Sequence, residues 1–203
     1  GVRILGDSMP KYSKGEEIFN YVSHIVGGAF GIFSMIFCFF LCVNELNGRN
    51  IASIVVYSLS VVLLYTMSAL YHSLAGRAKS IFRILDHLTI YILIAGSYTP
   101  FCLIALKDSI WGWIIFGIVW GIAIIGIILN ATMMSKKSVK VISYISYVIV
   151  GWIIVIAIPD LLKSIELGGF LLLLFGGIAY TIGILFFALG KRKKWFHSIW
   201  HIW

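Results

Sequence analysis

Two histidines four residues apart, His197 and His201, stand in the otherwise apolar and aromatic segment that runs from Trp195 to Trp203. On a helix that spacing puts both imidazoles on one face, where they can share a metal ion. Aromatic-flanked histidines at a membrane surface can also be interfacial side chains with no ligand. The reading therefore turns on what else reaches the pair. His72, with Ser68 one turn before it, and Asp86, followed by His87, are the candidates. The chemistry that suits them is zinc held by imidazoles from separate helices, with three protein ligands and an open position for water. His72, His197 and His201 would supply the nitrogens. Asp86 would bond the water and serve as general base, and Ser68 would bond a ligand, the water or a substrate oxygen. Imidazole favours zinc over magnesium or calcium, while iron, cobalt and nickel stay open on ligand type.

The elements that must position these residues are membrane helices. Hydrophobic residues make up 61% of the chain and charged ones 12%, with a mean hydropathy of +1.01. Soluble domains carry roughly 25% charged residues, so the composition specifies a polytopic membrane protein in a single transmembrane domain over residues 1–203. Apolar runs of spanning length fall at residues 21–43, 51–72, 85–106, 111–133, 139–158 and 168–189, and a seventh starts near Trp195. Turn residues such as Asn47-Gly48, Ala75-Gly76 and Pro159-Asp160 mark the short connections. Cys38, Cys42 and Cys102 lie inside apolar runs, as packing residues rather than a disulfide or zinc framework. The polar stretch from Arg3 to Glu17 lacks the form of a cleavable signal.

A net charge of +8 does not imply a nucleic-acid partner, because the positive residues sit in alternate loops. One side of the membrane receives Arg3, Lys11 and Lys14, then Arg77, Lys79 and Arg83, then Lys136, Lys137 and Lys140, then Lys191, Arg192, Lys193 and Lys194; the other receives only Arg49, Lys107 and Lys163. The N-terminus is accordingly cytoplasmic. With that orientation His24, His72, His87, His197 and His201 all fall at the cytoplasmic end. Ionisable groups in spanning helices are costly, face the bundle interior and mark functional sites. Taken singly, His72, His87 and His197 read as interfacial residues, Asp86 as the N-cap of helix three and Ser68 as bonded to its own helix. Together, residues from three helices at one depth favour the metal.

Ser68-x-x-x-His72, then Leu85-Asp86-His87 leading into Gly96-Ser97-Tyr98-Thr99-Pro100-Phe101, then His197-x-x-x-His201, resembles the bacterial hemolysin III family. That family belongs with the progestin and adipoQ receptors and, more distantly, the alkaline ceramidases. Glu17-x-x-Asn20-x-x-x-His24 is similar to the segment that opens helix one in those receptors. The resemblance covers essentially the whole chain. It implies a seven-helix bundle with zinc near the cytoplasmic leaflet on His72, His197 and His201, with Asp86 acting through water and Ser68 beside it. It also implies lipid amide hydrolysis, and the family name implies cytolysis.

The expected function is zinc-dependent hydrolysis of a lipid-derived amide or ester drawn from the membrane; protein partners are not specified. One alternative is a receptor or sensor with a structural zinc, closed by a fourth ligand, for which His87 and His24 are available. Another is a hemolysin-type pore, which would place ionisable residues at mid-membrane; the interiors of helices four to six carry no Asp, Glu, Lys or His. From Trp195 the chain supplies about 13 Å of helix at 1.5 Å per residue, against a hydrocarbon core of roughly 30 Å. Helix seven as given is truncated, and the natural chain is expected to continue past Trp203.

Overall fold

The computed structural model describes residues 12–190 and 193–202. Arg3, Lys11, Lys191 and Arg192, used above to orient the chain, and Trp203 lie outside the described residues. All regular elements among the described residues are helical: α1 (Lys14–Leu41), α2 (Gly48–Ser73), α3 (Gly76–Pro100), α4 (Ile110–Met133), α5 (Lys137–Trp152), α6 (Ile158–Ser164), α7 (Leu167–Leu189) and α8 (Phe196–Trp200). They supply six helical stretches long and apolar enough to cross a membrane, with α5 and α6 sharing one of them. Large apolar side chains, among them Phe40 and Leu172, remain exposed around the perimeter, as lipid contact requires of a multi-pass membrane protein.

Consecutive long helices pack side by side from α1 through α5, then α5 against α7; α8 leans on α7 and reaches back to α1. At the centre lies α3, whose Ile90, Tyr91, Ile94, Ala95 and Tyr98 enter the core with Ile115 and Val119 of α4 and Tyr147 and Val150 of α5. Close approach depends on small residues, as is usual between membrane helices. A Cβ on Gly96 would overlap Ser60 of α2, and one on Gly126 would overlap the ring of Tyr91. Tyr91 cannot swing away freely, because it is buried and its hydroxyl pairs with Ser146 Oγ at 3.0 Å. Gly126→Ala is therefore expected to destabilise the bundle by about 1–3 kcal/mol, the usual range for overpacking. A lowered thermal midpoint of the purified protein in detergent would show it.

Three helices depart from the runs that apolarity alone marks out. The first begins at Lys14 rather than near residue 21, so Glu16, Glu17 and Asn20 are helical. The third begins at Gly76 rather than near residue 85, so Arg77, Lys79 and Arg83 are helical rather than loop residues, and Asp86 lies in the third turn of α3. Asp86 is thus not the N-cap of this helix; Ala75 is, with no side-chain capping bond. The fifth span does not end at Pro159-Asp160. After α5 the chain tightens into a 3₁₀ segment, Ile153–Ala157, and re-enters α6 with the proline in its first turn, where a missing N–H costs nothing. Tyr98 fills this break: its hydroxyl donates to the Gly151 carbonyl at 3.0 Å and accepts from the Ile154 N–H at 3.4 Å. The connection to α7 falls at Ile165-Glu166 instead.

Candidate metal centre

The last turn of α2 carries His72, and α8 carries His197 and reaches His201 at its C-terminal cap. Both elements are held by the first turns of α1, where Glu16 and Glu17 follow a capping box closed by Ser13. Oε2 of Glu16 accepts from the Ser13 N–H at 2.8 Å and the Ser13 hydroxyl at 2.7 Å. Its Oε1 accepts from the Trp195 N–H at 2.7 Å. Trp195 precedes α8 with φ 67°, the left-handed region that a bulky residue enters only when its surroundings impose it. The Glu16 contact and the packing of Phe19 edge-on to the Trp195 indole supply that constraint.

Three imidazoles meet where these elements converge. Nε2 of His197 lies 3.2 Å from Nε2 of His72 and 3.2 Å from Nε2 of His201. One nitrogen from each of the three rings fits within a 4.8 Å group. The outer nitrogens of His72 and His201 are engaged: His72 Nδ1 donates to Glu17 Oε2 at 2.7 Å, and His201 Nδ1 donates to the backbone carbonyl of Asn20 at 3.2 Å. In that tautomer both Nε2 atoms are acceptors. His197 Nε2–H can donate to only one of them, so hydrogen bonding among the three rings leaves one Nε2 lone pair without a proton. A cation at the centre satisfies all three. The two 3.2 Å separations agree with this, since tetrahedral ligands at about 2.0–2.1 Å from zinc stand about 3.3 Å apart. The residues present therefore fit an imidazole-bound metal ion.

The surroundings are closely built. Tyr12 stacks on His197 with centroids 4.8 Å apart and an interplanar angle of 19°, and its ring lies 5.6 Å from that of His72. Burial pushes the Tyr12 phenol well above its ordinary range, so the hydroxyl stays protonated. Asn20 is fully buried, with its amide nitrogen 3.4 Å from His72 Nδ1. Ser68 is buried on α2 one turn before His72. Across from it on α3 the Asp86 side chain, 13% exposed, lies near the Ser68 hydroxyl and the Arg83 guanidinium, with His87 Nδ1 3.7 Å from its Oδ2.

The two remaining histidines do not join the ligand group. The His24 ring stacks face to face on His201, with centroids 3.7 Å apart. Nδ1 of His87 engages the Arg83 carbonyl at 2.9 Å, and its ring packs toward Phe187. In the sequence Glu17 stands out only as the end of a polar stretch and within the family resemblance, Lys79 only as a charge that orients the chain, and Tyr12 not at all. Glu17 could have been found: a carboxylate in the first turn of a membrane helix, at the depth of His72, needs a partner there.

The chain matches the haemolysin-III related family over residues 12–203. It is 38% identical to "Hemolysin-3" of Bacillus cereus over 188 residues, covering 92% of this chain and 84% of that one. This chain belongs to the haemolysin III family. A "Hemolysin-3 homolog" of Bacillus subtilis (strain 168) is similar at 36% identity over 187 residues, covering 92% of this chain and 86% of that protein. No solved structure matches. The haemolysin III match begins at Tyr12, so it takes in Tyr12, Glu16 and Glu17 as well as the three ligand candidates.

Proposed function

We propose that this haemolysin III protein is a zinc-dependent membrane hydrolase that cleaves a lipid-derived amide or ester. The observation that carries the reading is the convergence of three Nε2 atoms, with the His72 and His201 rings oriented from behind, the Ser68 hydroxyl one turn before His72 on α2 and the Asp86 carboxyl near Ser68 on α3. His72, His197 and His201 would hold the ion. A zinc ion on three imidazoles supplies Lewis acidity and brings the pKa of a coordinated water toward neutrality. Asp86 takes the proton of the attacking water and returns it to the departing amine or alkoxide as the carbonyl–heteroatom bond breaks. Ser68 orients the Asp86 carboxylate. A structural metal would call for a fourth protein ligand, whereas among the described residues the group contains three.

The test is turnover of ceramide and of a matched lipid ester by the purified protein in phosphatidylcholine vesicles. Dialysis against a chelator is expected to abolish release of fatty acid, and stoichiometric zinc to restore it. Turnover that survives removal of all bound metal would overturn the proposal.

A further inference from the structure

Glu17 makes two bonds of opposite destination. Its Oε2 accepts from His72 Nδ1 at 2.7 Å, and its Oε1 accepts from Lys79 Nζ at 2.8 Å. Lys79 in turn donates to the Tyr71 carbonyl at 3.1 Å and sets its ammonium 5.0 Å from the Tyr71 ring centroid. The carboxylate of α1 thus joins the end of α2 to the start of α3 at the corner where the chain passes from one to the other. Tyr71 itself is almost wholly buried, so the carbonyl that anchors Lys79 is part of a packed element. His72 has no exposed side-chain surface, and its ring orientation is fixed by what Nδ1 meets.

We infer that Glu17 is a positioning residue for the metal centre, holding His72 in the Nδ1–H tautomer with its Nε2 lone pair aimed at His197 and His201, and that Lys79 holds Glu17. The inference rests on the metal reading above. Without the carboxylate, neutral His72 can carry its proton on either nitrogen, and the Nε2–H form cannot bind a cation. An ionised carboxylate behind the ring also raises its basicity as a ligand. The neighbouring Glu16 does a different task, since it fixes the backbone entry to α8 at Trp195 rather than an imidazole. Two consecutive carboxylates on one helix turn thereby orient ligands from opposite ends of the sequence.

The experiment measures zinc affinity by chelator competition, and the visible spectrum at saturating cobalt, on the full chain in detergent. Glu17→Ala is expected to lose roughly 10–100-fold in zinc affinity, the range for removing such a partner of a ligating histidine. Its cobalt bands should change position or intensity even at saturation, which a general loss of stability would not produce. Glu17→Gln keeps shape and one acceptor oxygen, so it should fold like the parent and show a smaller loss with the same spectral change. Lys79→Met should weaken binding, and adding it to Glu17→Gln should cost nothing more, because Lys79 acts through Glu17. Glu45→Gln, at the opposite end of the bundle, should leave both readouts unchanged. Parental affinity and spectrum in both Glu17 variants would overturn the positioning role and leave the metal centre standing. A parent chain that binds neither zinc nor cobalt would overturn the centre itself.

Discussion

Replacing His197 and His201 together by alanine is expected to take bound zinc from about one equivalent per chain to none. The two rings supply two of the three nitrogens, and the single remaining ligand, His72, cannot hold a divalent ion against bulk water and competing protein carboxylates. The loss should come without collapse of the fold. α8 packs mainly on α7 and the start of α1, with His197 meeting His72 of α2, whereas the core around α3 is built mainly by α3, α4, α5 and α7. A parental elution profile with no metal by elemental analysis would separate ligand loss from unfolding. His87→Ala provides the comparison: its imidazole engages the Arg83 carbonyl, outside the ligand group, so full metal content should persist. One equivalent of zinc retained in the double variant would sink the ligand assignment.

How far the sequence reached can be judged from particular residues. Apolar length alone located the six spans, because the energetic penalty for polar groups in a membrane is large and additive along a helix. It placed α4 and α7 within a residue of their ends. The same criterion missed the first turns of α3. Arg77 to Arg83 are polar enough to read as loop, yet their side chains serve the interior: Arg83 is buried, and Lys79 reaches back to Glu17 and the Tyr71 carbonyl. Pro159 was read as a turn because proline ends most helices, whereas here the Tyr98 hydroxyl satisfies the backbone groups released around the break.

The three metal-ligand candidates were legible because imidazole in apolar sequence is costly and therefore informative. Their orientation was not. It depends on contacts at very large sequence separation: Glu16 with Trp195, Glu17 with His72, and the Asn20 carbonyl with His201. One helix turn of α1 provides all three. No local pattern reports that this turn lies between α2 and α8, so nothing in the spacing of the two carboxylates points to His72 or to Trp195. The same topology separates His24 from the ligands, since its ring is used to stack on His201 and its spacing gives no sign of that.

Asp86→Asn distinguishes a catalytic carboxylate from one that only helps build the centre. Asparagine preserves volume and keeps a polar group beside Ser68, Arg83 and His87, but it cannot accept and return a proton. If Asp86 is the general base, kcat for lipid amide turnover is expected to fall by roughly 10²–10⁴, with zinc content, KM and thermal midpoint near parental values. Ser68→Ala should produce a milder fall, because it removes an orienting hydroxyl and leaves the carboxylate. A structural role predicts the reverse pattern. Asp86 sits in the third turn of α3, one helix across from Ser68, and Arg83 beside it is buried. Were its task to balance that guanidinium, Asp86→Asn would remove a negative charge from beside a buried cation and lower stability, with turnover falling only in proportion to folded protein. Unchanged turnover per folded molecule would remove Asp86 from the mechanism, and measuring zinc content in the same preparation would show that the centre survives without it.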